Sequence, residues 1–170
     1  AFIKGESDID IPAQSQVTAL WDLENYFCAY PAVEMSGGKG ATVTWHWAES
    51  LFNEHTPDKI GDKGDRNIVE GKTFRGAGSV FTSSGEDRQA MQTPWWFSGR
   101  YCLVTIKTLD DSLKLHGLTV DETHYPFENE SQFTCDDADF AGIIDISSRV
   151  MQMCAHESYM DCPYYEQLMY

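Results

Sequence analysis

Two carboxylates lie five residues apart near the end of the chain, among aromatic residues. Asp161 and Glu166 stand among four tyrosines, at positions 159, 164, 165 and 170. Carboxylates accept charge-assisted hydrogen bonds from sugar hydroxyls, aromatic rings cover the C–H faces of a sugar, and a glycosidase needs one protonated carboxylic acid beside the glycosidic oxygen. In the alternative interpretation, Asp161 only caps a helix and Glu166 is a solvated helix residue. The spacing alone favours that structural interpretation.

Several stretches around this pair form a more specific pattern. The most specific is Asp-Cys-Pro-Tyr-Tyr-Glu-Gln at 161–167, within the longer run 157–170. Further stretches extend over nearly the whole chain: Thr-His-Tyr-Pro at 123–126, Ser-Gln-Phe-Thr-Cys-Asp at 131–136, Pro-Trp-Trp-Phe-Ser-Gly-Arg-Tyr at 94–101 and, more loosely, 36–42 and 63–67. Together they resemble the bacterial α-L-rhamnosidase family, whose members are inverting glycoside hydrolases with a β-sandwich before an (α/α)6 catalytic barrel, the six-hairpin glycosidase fold.

This resemblance implies a role for each carboxylate. In that family the Asp before Cys-Pro binds sugar hydroxyls, and the residue at this position is Asp161. The Glu five residues later is the family's general acid, and the residue at that position is Glu166. The implied substrates are rhamnose-containing glycosides that lose terminal α-L-rhamnose, and no cofactor or metal is implied. The general base of the family lies far downstream in the barrel, outside these 170 residues. We therefore expect the isolated chain not to hydrolyse rhamnosides.

A general acid at Glu166 must hold its proton near neutral pH. The N–H groups of a helix's first turn oppose this, because they stabilise a carboxylate as its anion. Burial among Tyr164, Tyr165 and neighbouring carboxylates would favour the neutral form, and we expect most of those neighbours to lie beyond Tyr170. Inversion also needs a second carboxylate about 6.5–9.5 Å from the acid. Asp161 is a poor candidate for that second group.

The elements that position this pair are mainly β. Short strands broken by Gly, Pro, Asp and Asn run from Ile9 to about Phe133, a pattern typical of an antiparallel, jelly-roll-like β-sandwich. The clearest strand is 41–47, whose core face carries Ala41, Val43, Trp45 and Trp47. The stretch 101–107 is apolar on both faces, which indicates a central strand, and the polar stretch 53–78 is predicted to be a surface loop.

An α region begins at Cys135. Asp136 and Asp137 can cap a helix that runs to about His156. Apolar residues recur along it at helical spacing and define an apolar stripe: Phe140, Ile143, Ile144, Val150, Met151 and Cys154. Residues 1–134 are therefore assigned to the sandwich, and 135–170 to a linking helix and the first segment of a truncated catalytic domain.

A second helix is predicted at the end of the chain. Asp161 occupies an N-cap position and Pro163 the first turn, so a helix should begin at about Tyr164. We expect the chain to be a fragment whose continuation covers the apolar stripe. Without that continuation the stripe must pack on the sandwich, drive self-association or stay exposed.

Composition excludes several classes of partner. The 12 Lys and Arg residues against 27 Asp and Glu give a net charge of −15, which repels nucleic acids and anionic membrane surfaces. No apolar run approaches the ~20 residues that cross a bilayer. The five cysteines form no CxxC pair, which indicates reduced thiols and favours a cytoplasmic protein, with a secreted protein as the alternative if a signal peptide was removed.

Other polar residues predict no metal site. The histidines show no ligand-pair spacing, and an acidic group that could hold calcium lacks the downstream Glu of an EF-hand: Asp58, Asp62 and Asp65. A competing function is that of a non-catalytic, carbohydrate-binding or structural β-sandwich. In that case four tryptophans form core or a sugar platform: Trp45, Trp47, Trp95 and Trp96.

Overall fold

A computed structural model describes residues 2, 5–53, 62–128 and 130–170. These form seven strands and one helix: β1 (Ile9–Ile11), β2 (Gln16–Gly37), β3 (Thr42–Ala48), β4 (Ala77–Thr82), β5 (Gln89–Gln92), β6 (Phe97–Lys107), β7 (Leu113–Glu122) and α1 (Ala138–Cys154). All strand pairs are antiparallel. The predicted fold class, a mainly antiparallel β-sandwich followed by a C-terminal helix, is confirmed. Asp58, named above as a calcium candidate, lies outside the described residues.

The long strand β2 joins the two halves of the sandwich. The strand order is β1-β7-β2-β6-β3-β4, and β5 also pairs with β2. The first part of β2 pairs with β6, the register shifts between Asp22 and Phe27, and the last part pairs with β7 and β5. Such a shift bends a strand. One continuous set of hydrogen-bonded strands can therefore enclose a core.

The core is built on β3. Trp45 and Trp47 are fully buried, and their rings stack at 6.4 Å between centroids with an angle of 7° between planes. Val43 is also fully buried, and the intervening Thr44 and His46 are half-buried. The predicted core face of this strand is confirmed. Apolar residues from β2, β6 and β7 complete the same cluster: Val33, Met35, Val104, Ile106, Leu113 and Leu115.

The helix is attached to the sandwich mainly at its C-terminal end. Its N-cap is Asp137, as predicted, and the Asp137 carboxylate accepts a hydrogen bond from the Asp139 N–H at 3.0 Å. Met153 is buried, and its carbonyl accepts a bond from the Cys28 thiol at 3.4 Å. Arg149 forms an ion pair with Glu122 at 3.0 Å. Among the described residues, no helix has both the length and the apolar character needed to cross a membrane.

The structure fixes two features of the α region that the sequence leaves open, namely where the helix ends and what the apolar stripe contacts. The helix ends at Cys154 rather than His156, because Ala155 pairs with Tyr159 in a β-bridge. The apolar stripe does not pack on the sandwich: five of its residues are between 38% and 55% exposed, namely Phe140, Ile143, Ile144, Val150 and Met151. The helix touches the sandwich with the residues around Met153 instead. Self-association through this stripe has no support in the structure.

The second predicted helix does not form. Residues 163–166 make a turn, and the chain from 167 to 170 is not helical. Asp161 does not act as an N-cap, because its N–H donates to the Leu168 carbonyl at 2.9 Å and its carboxylate accepts from the Leu168 N–H at 3.3 Å. Gln167 has a φ of 53°, a left-handed conformation that is incompatible with a continuing helix. These contacts close the chain into a loop.

Two strand glycines give a matched test of the β3–β4 pairing. A Cβ at Gly78 would lie 1.8 Å from the Trp45 carbonyl oxygen, whereas a Cβ at Gly117 would meet nothing within 4 Å. We expect Gly78→Ala to lower the free energy of unfolding by about 1–3 kcal/mol, because β4 must move away from β3. Gly117→Ala should change it by less than about 0.5 kcal/mol. Urea unfolding followed by tryptophan fluorescence measures both, and equal effects would contradict the close approach.

The cysteines should differ sharply in reactivity. Burial raises the pKa of Cys28 and of Cys102 to about 12, whereas Cys135 is exposed. Because the thiolate is the reacting form, iodoacetamide at about pH 8 should modify Cys135 first and should modify Cys28 and Cys102 only after unfolding. Peptide mass spectrometry with and without urea measures this order. Native-state labelling of Cys102 as fast as that of Cys135 would contradict the described core.

Candidate functional site

Both predicted site residues lie on one closed loop, here called the candidate turn (residues 161–168). A short hairpin leads into it: Ala155 pairs with Tyr159, and the Met160 N–H donates to the Cys154 carbonyl at 2.9 Å. Within the candidate turn the Gln167 N–H donates to the Cys162 carbonyl at 3.1 Å. Together with the two bonds between Asp161 and Leu168, this contact brings both ends of the turn side by side.

The candidate turn places the two carboxylates close together. A carboxylate oxygen of Asp161, one of Glu166 and the sulfur of Cys162 all lie within 4.8 Å of one another. The Cys162 thiol donates to Oε2 of Glu166 at 2.8 Å, and its sulfur accepts from the Tyr165 N–H at 3.3 Å. Both carboxylates are exposed. Cys162 is not among the site residues predicted from the sequence, although its spacing of four residues from Glu166 is typical of side chains that meet in one turn.

These three side chains could also ligate a metal ion, since each offers one ligand atom. Exposed carboxylates often lie close together without an ion, so proximity alone does not assign one. The absence of a metal from the predicted site stays a prediction.

The sandwich anchors the candidate turn through backbone carbonyls. The Tyr164 hydroxyl donates to the carbonyl of Trp47, near the end of β3, at 3.0 Å. The buried Ser98 hydroxyl, in β6, donates to the Pro163 carbonyl at 2.6 Å. Burial raises the pKa of Tyr164, so this phenol keeps its proton as a donor at neutral pH. The turn is thus fixed on the adjacent ends of two core strands.

A lysine from the loop before β4 contacts the candidate turn. Lys63 Nζ donates to Glu49 Oε2 at 2.9 Å and to the Tyr165 hydroxyl at 3.3 Å. Burial disfavours the charge of Lys63, but the hydrogen bonds and attraction from Glu49 and Tyr165 outweigh it and raise the pKa of Lys63. The predicted surface loop, 53–78, is described at 53 and 62–78. It ends earlier than predicted, because β4 begins at Ala77, and through Lys63 it contacts the candidate turn.

Trp95 contacts the candidate turn, and Trp96 stacks against Trp95. Trp95 Nε1 donates to Gln167 Oε1 at 2.9 Å, and its ring stacks with Trp96 at 5.8 Å between centroids. Trp96 stacks in turn on His156 at 4.3 Å. Trp96 is buried like the two core tryptophans of β3, so only Trp95, 58% exposed, offers the surface that a tryptophan sugar platform requires.

This geometry suits hydroxyl binding and proton donation better than a complete hydrolytic pair. Asp161 and Glu166 approach within 4.8 Å, which is shorter than the about 6.5–9.5 Å that leaves room for a water molecule in an inverting pair. That the general base is a residue other than Asp161 stays a prediction. The burial predicted for Glu166 is not supplied by the residues that the structure describes.

Comparisons with known proteins bear on the fold. No family model and no curated protein matches this sequence. The chain is similar to a solved GH78 family rhamnosidase of Bacillus sp. GL1, with a TM-score of 0.66, 20% identity and 93% of this chain covered. It is also similar to a rhamnosidase from Klebsiella oxytoca with rhamnose bound, with a TM-score of 0.67, 15% identity and 94% covered.

The chain has a rhamnosidase-like fold. The resemblance stated from the sequence motifs is therefore confirmed at the level of fold. The chain spans only 15% of the length of the Bacillus protein and 31% of that of the Klebsiella protein. The roles of Asp161 and Glu166 are not tested by these similarities and stay predictions.

The Lys63 contact can be tested against an ion pair elsewhere. We expect Lys63→Met to speed the hydrogen exchange of the Tyr165 and Gln167 amides by about tenfold, because Tyr165 loses a partner and Glu49 loses its cationic partner. Lys114→Met, which removes a more exposed pair with Asp10 at 3.6 Å, should leave those amides unchanged. Native-state exchange read by NMR measures both variants. Unchanged protection in Lys63→Met would show that the candidate turn does not depend on this lysine.

Proposed function

We propose that this chain is part of a glycoside hydrolase that releases terminal α-L-rhamnose from rhamnosides by inverting hydrolysis. The observation that carries the proposal is the pairing of Asp161 and Glu166 on one anchored turn, at the end of a sandwich with a rhamnosidase-like fold. A neutral sugar also suits a chain of net charge −15, which repels anionic ligands.

In this mechanism the two carboxylates have different tasks. Glu166 gives its proton to the departing glycosidic oxygen, and Asp161 accepts hydrogen bonds from hydroxyls of the rhamnose ring. The Cys162 thiol, 2.8 Å from Glu166, orients the carboxyl group while it is ionised. The base that activates water belongs to a part of the enzyme outside these residues, because inversion needs a carboxylate on the opposite face of the sugar.

The proposal also assigns the two regions of the chain. Residues 1–134 form the accessory sandwich, and 135–170 form the linking helix and the first segment of an (α/α)6 barrel. The exposed apolar stripe of α1 supports this assignment, since large apolar side chains exposed together on one helix face mark a surface that other protein covers. The remaining barrel would cover the stripe and would also exclude water from Glu166.

The direct test uses the longer enzyme that this proposal requires. Glu166→Gln should lower kcat/KM by about 10²–10⁴-fold on a rhamnoside with an alkyl leaving group, because general acid catalysis is lost. The loss should be much smaller with a nitrophenyl leaving group, which departs without a proton. Glu70→Gln, an exposed glutamate outside the candidate turn, serves as the matched control. Normal hydrolysis of the alkyl rhamnoside by Glu166→Gln would refute the assignment of the acid.

The isolated 170-residue chain provides a second, independent test. We expect it to give no turnover of nitrophenyl rhamnoside, because no general base is present to activate water. The assay follows nitrophenol release at high protein concentration, with the longer enzyme as the positive control. Nitrophenol release by the purified chain above that of a protein-free blank would mean that these residues contain a complete site, contrary to the proposal.

A further inference from the structure

A cluster of polar side chains lies where strands β1, β7 and β2 meet, and the proposed mechanism does not use it. The cluster lines a cavity of about 460 Å³. Asp8 directly precedes β1, His116 is in β7, Ser36 is in β2 and Asp87 lies in the segment before β5. The antiparallel pairing of β1 with β7 brings Asp8 opposite His116. We call this cluster the β1–β7 site.

Ser36 determines which ring nitrogen of His116 carries a hydrogen. The Ser36 hydroxyl donates its one proton to Asp87 Oδ1 at 2.8 Å, since a carboxylate can only accept. Its oxygen accepts from the Arg88 N–H at 2.9 Å. His116 Nε2 lies 2.7 Å from the same oxygen. Because the serine proton is already used, Nε2 must be the donor in this contact.

The other ring nitrogen of His116, Nδ1, is buried and lacks a hydrogen bond. The His116 side chain is only 9% exposed, and Nδ1 has no hydrogen-bond partner among the described residues. Asp8 Oδ2 lies 3.2 Å from Nδ1, but the contact does not have the geometry of a hydrogen bond. A buried polar atom without a partner costs free energy. A cation that accepts electron pairs from both Nδ1 and the Asp8 carboxylate would remove this cost.

The separation of these two atoms matches that of two ligands on one metal ion. Zinc binds imidazole nitrogen and carboxylate oxygen at about 2.0–2.2 Å, so ligands subtending roughly 90–110° lie about 2.9–3.4 Å apart. The observed 3.2 Å between Nδ1 and Asp8 Oδ2 falls within this range. A nitrogen ligand favours zinc over calcium and magnesium, which prefer oxygen ligands alone. The hydrogen bond from Nε2 to Ser36 is the outer contact that orients a metal-binding histidine.

The charges of the β1–β7 site also favour a cation. Among the described residues that line the cavity, three are aspartates and one is a lysine: Asp8, Asp10, Asp87 and Lys114. Asp10 lies on the same face of β1 as Asp8, because side chains two residues apart in a strand share a face. Its side chain is 78% exposed and lies 3.6 Å from Lys114 Nζ. Rotation away from Lys114 would make Asp10 a third ligand, and water would complete a tetrahedral shell.

We propose that the β1–β7 site binds a zinc ion, with His116 Nδ1 and the Asp8 carboxylate as its first two ligands and Asp10 as the third. The ion would fasten the short edge strand β1 to β7. The inference is independent of the proposed function, because no residue of the candidate turn takes part. The histidine spacing in the sequence does not predict this site, since Asp8 and His116 meet only when β1 pairs with β7.

The test is ¹⁵N NMR of the His116 ring in the 170-residue chain, stripped of metal with a chelator and kept near neutral pH. Without metal we expect one signal of a protonated nitrogen, Nε2, and one of a bare nitrogen, Nδ1. Equimolar zinc chloride should move the Nδ1 signal and leave Nε2 protonated. A competing chelator of known affinity sets the free zinc concentration and gives the dissociation constant.

Variants separate the ligand from its support. Ser36→Ala should weaken zinc binding by about 10–100-fold, because His116 loses the contact that orients it, and Asp8→Asn should weaken it by more than about 100-fold, because a charged ligand is lost. Asp111→Asn, an exposed aspartate before β7, is the matched control and should have no effect. Cys162→Ala should also leave the His116 response unchanged, which excludes zinc bound at the candidate turn as its cause. Amide spectra check that each variant is folded.

Three results would overturn the inference. Both ring nitrogens of His116 could be protonated in the metal-free chain and stay so with zinc, which would make the site a histidine–aspartate ion pair. Zinc could shift only signals of residues 161–168, which would place the bound ion at the candidate turn. Asp8→Asn could also bind zinc as tightly as Asp111→Asn does, which would show that Asp8 is not a ligand.

Discussion

The Tyr164 hydroxyl donates to the carbonyl of Trp47 at 3.0 Å, and this contact joins the candidate turn to the most deeply buried strand of the sandwich. The ring of Trp47 is fully buried and stacks on Trp45, so its carbonyl cannot shift without disturbing the core. Ser98 provides a second anchor on the neighbouring strand β6. The positions of Asp161 and Glu166 therefore depend on the packing of β3 and β6, although the turn itself is exposed.

Much of the sandwich could be predicted from the sequence because its signals are local and strong. The alternation along 41–47 predicts the buried tryptophan face, and Asp137 predicts the start of the helix. The sequence does not predict the short strand β5, because Gln-Ala-Met-Gln contains neither β-branched nor aromatic residues. This segment is a strand because it pairs with β2. Strand formation there is imposed by tertiary contacts that no local pattern encodes.

The candidate turn shows where local signals fail. Asp161 followed by Pro163 is typical of a helix start. The first backbone N–H groups of a helix have no partner within the helix. Here, in contrast, the Asp161 N–H donates to the Leu168 carbonyl across the loop. The proximity of Asp161 and Glu166 is a product of the closed loop, because side chains five residues apart lie on different faces of a helix. The contact between Cys162 and Glu166 was not foreseen, since a thiol partner for a carboxylate has no distinctive sequence pattern.

The lysine beside the candidate turn is paired with a glutamate outside the turn. Lys63 is near the turn, but its ammonium is paired with Glu49 at 2.9 Å rather than with Glu166. The donor to Glu166 is the Cys162 thiol, a weak hydrogen-bond donor. The side chain of Glu166 is therefore contacted by a neighbour within the turn, whereas Lys63 contacts the turn from outside through Tyr165.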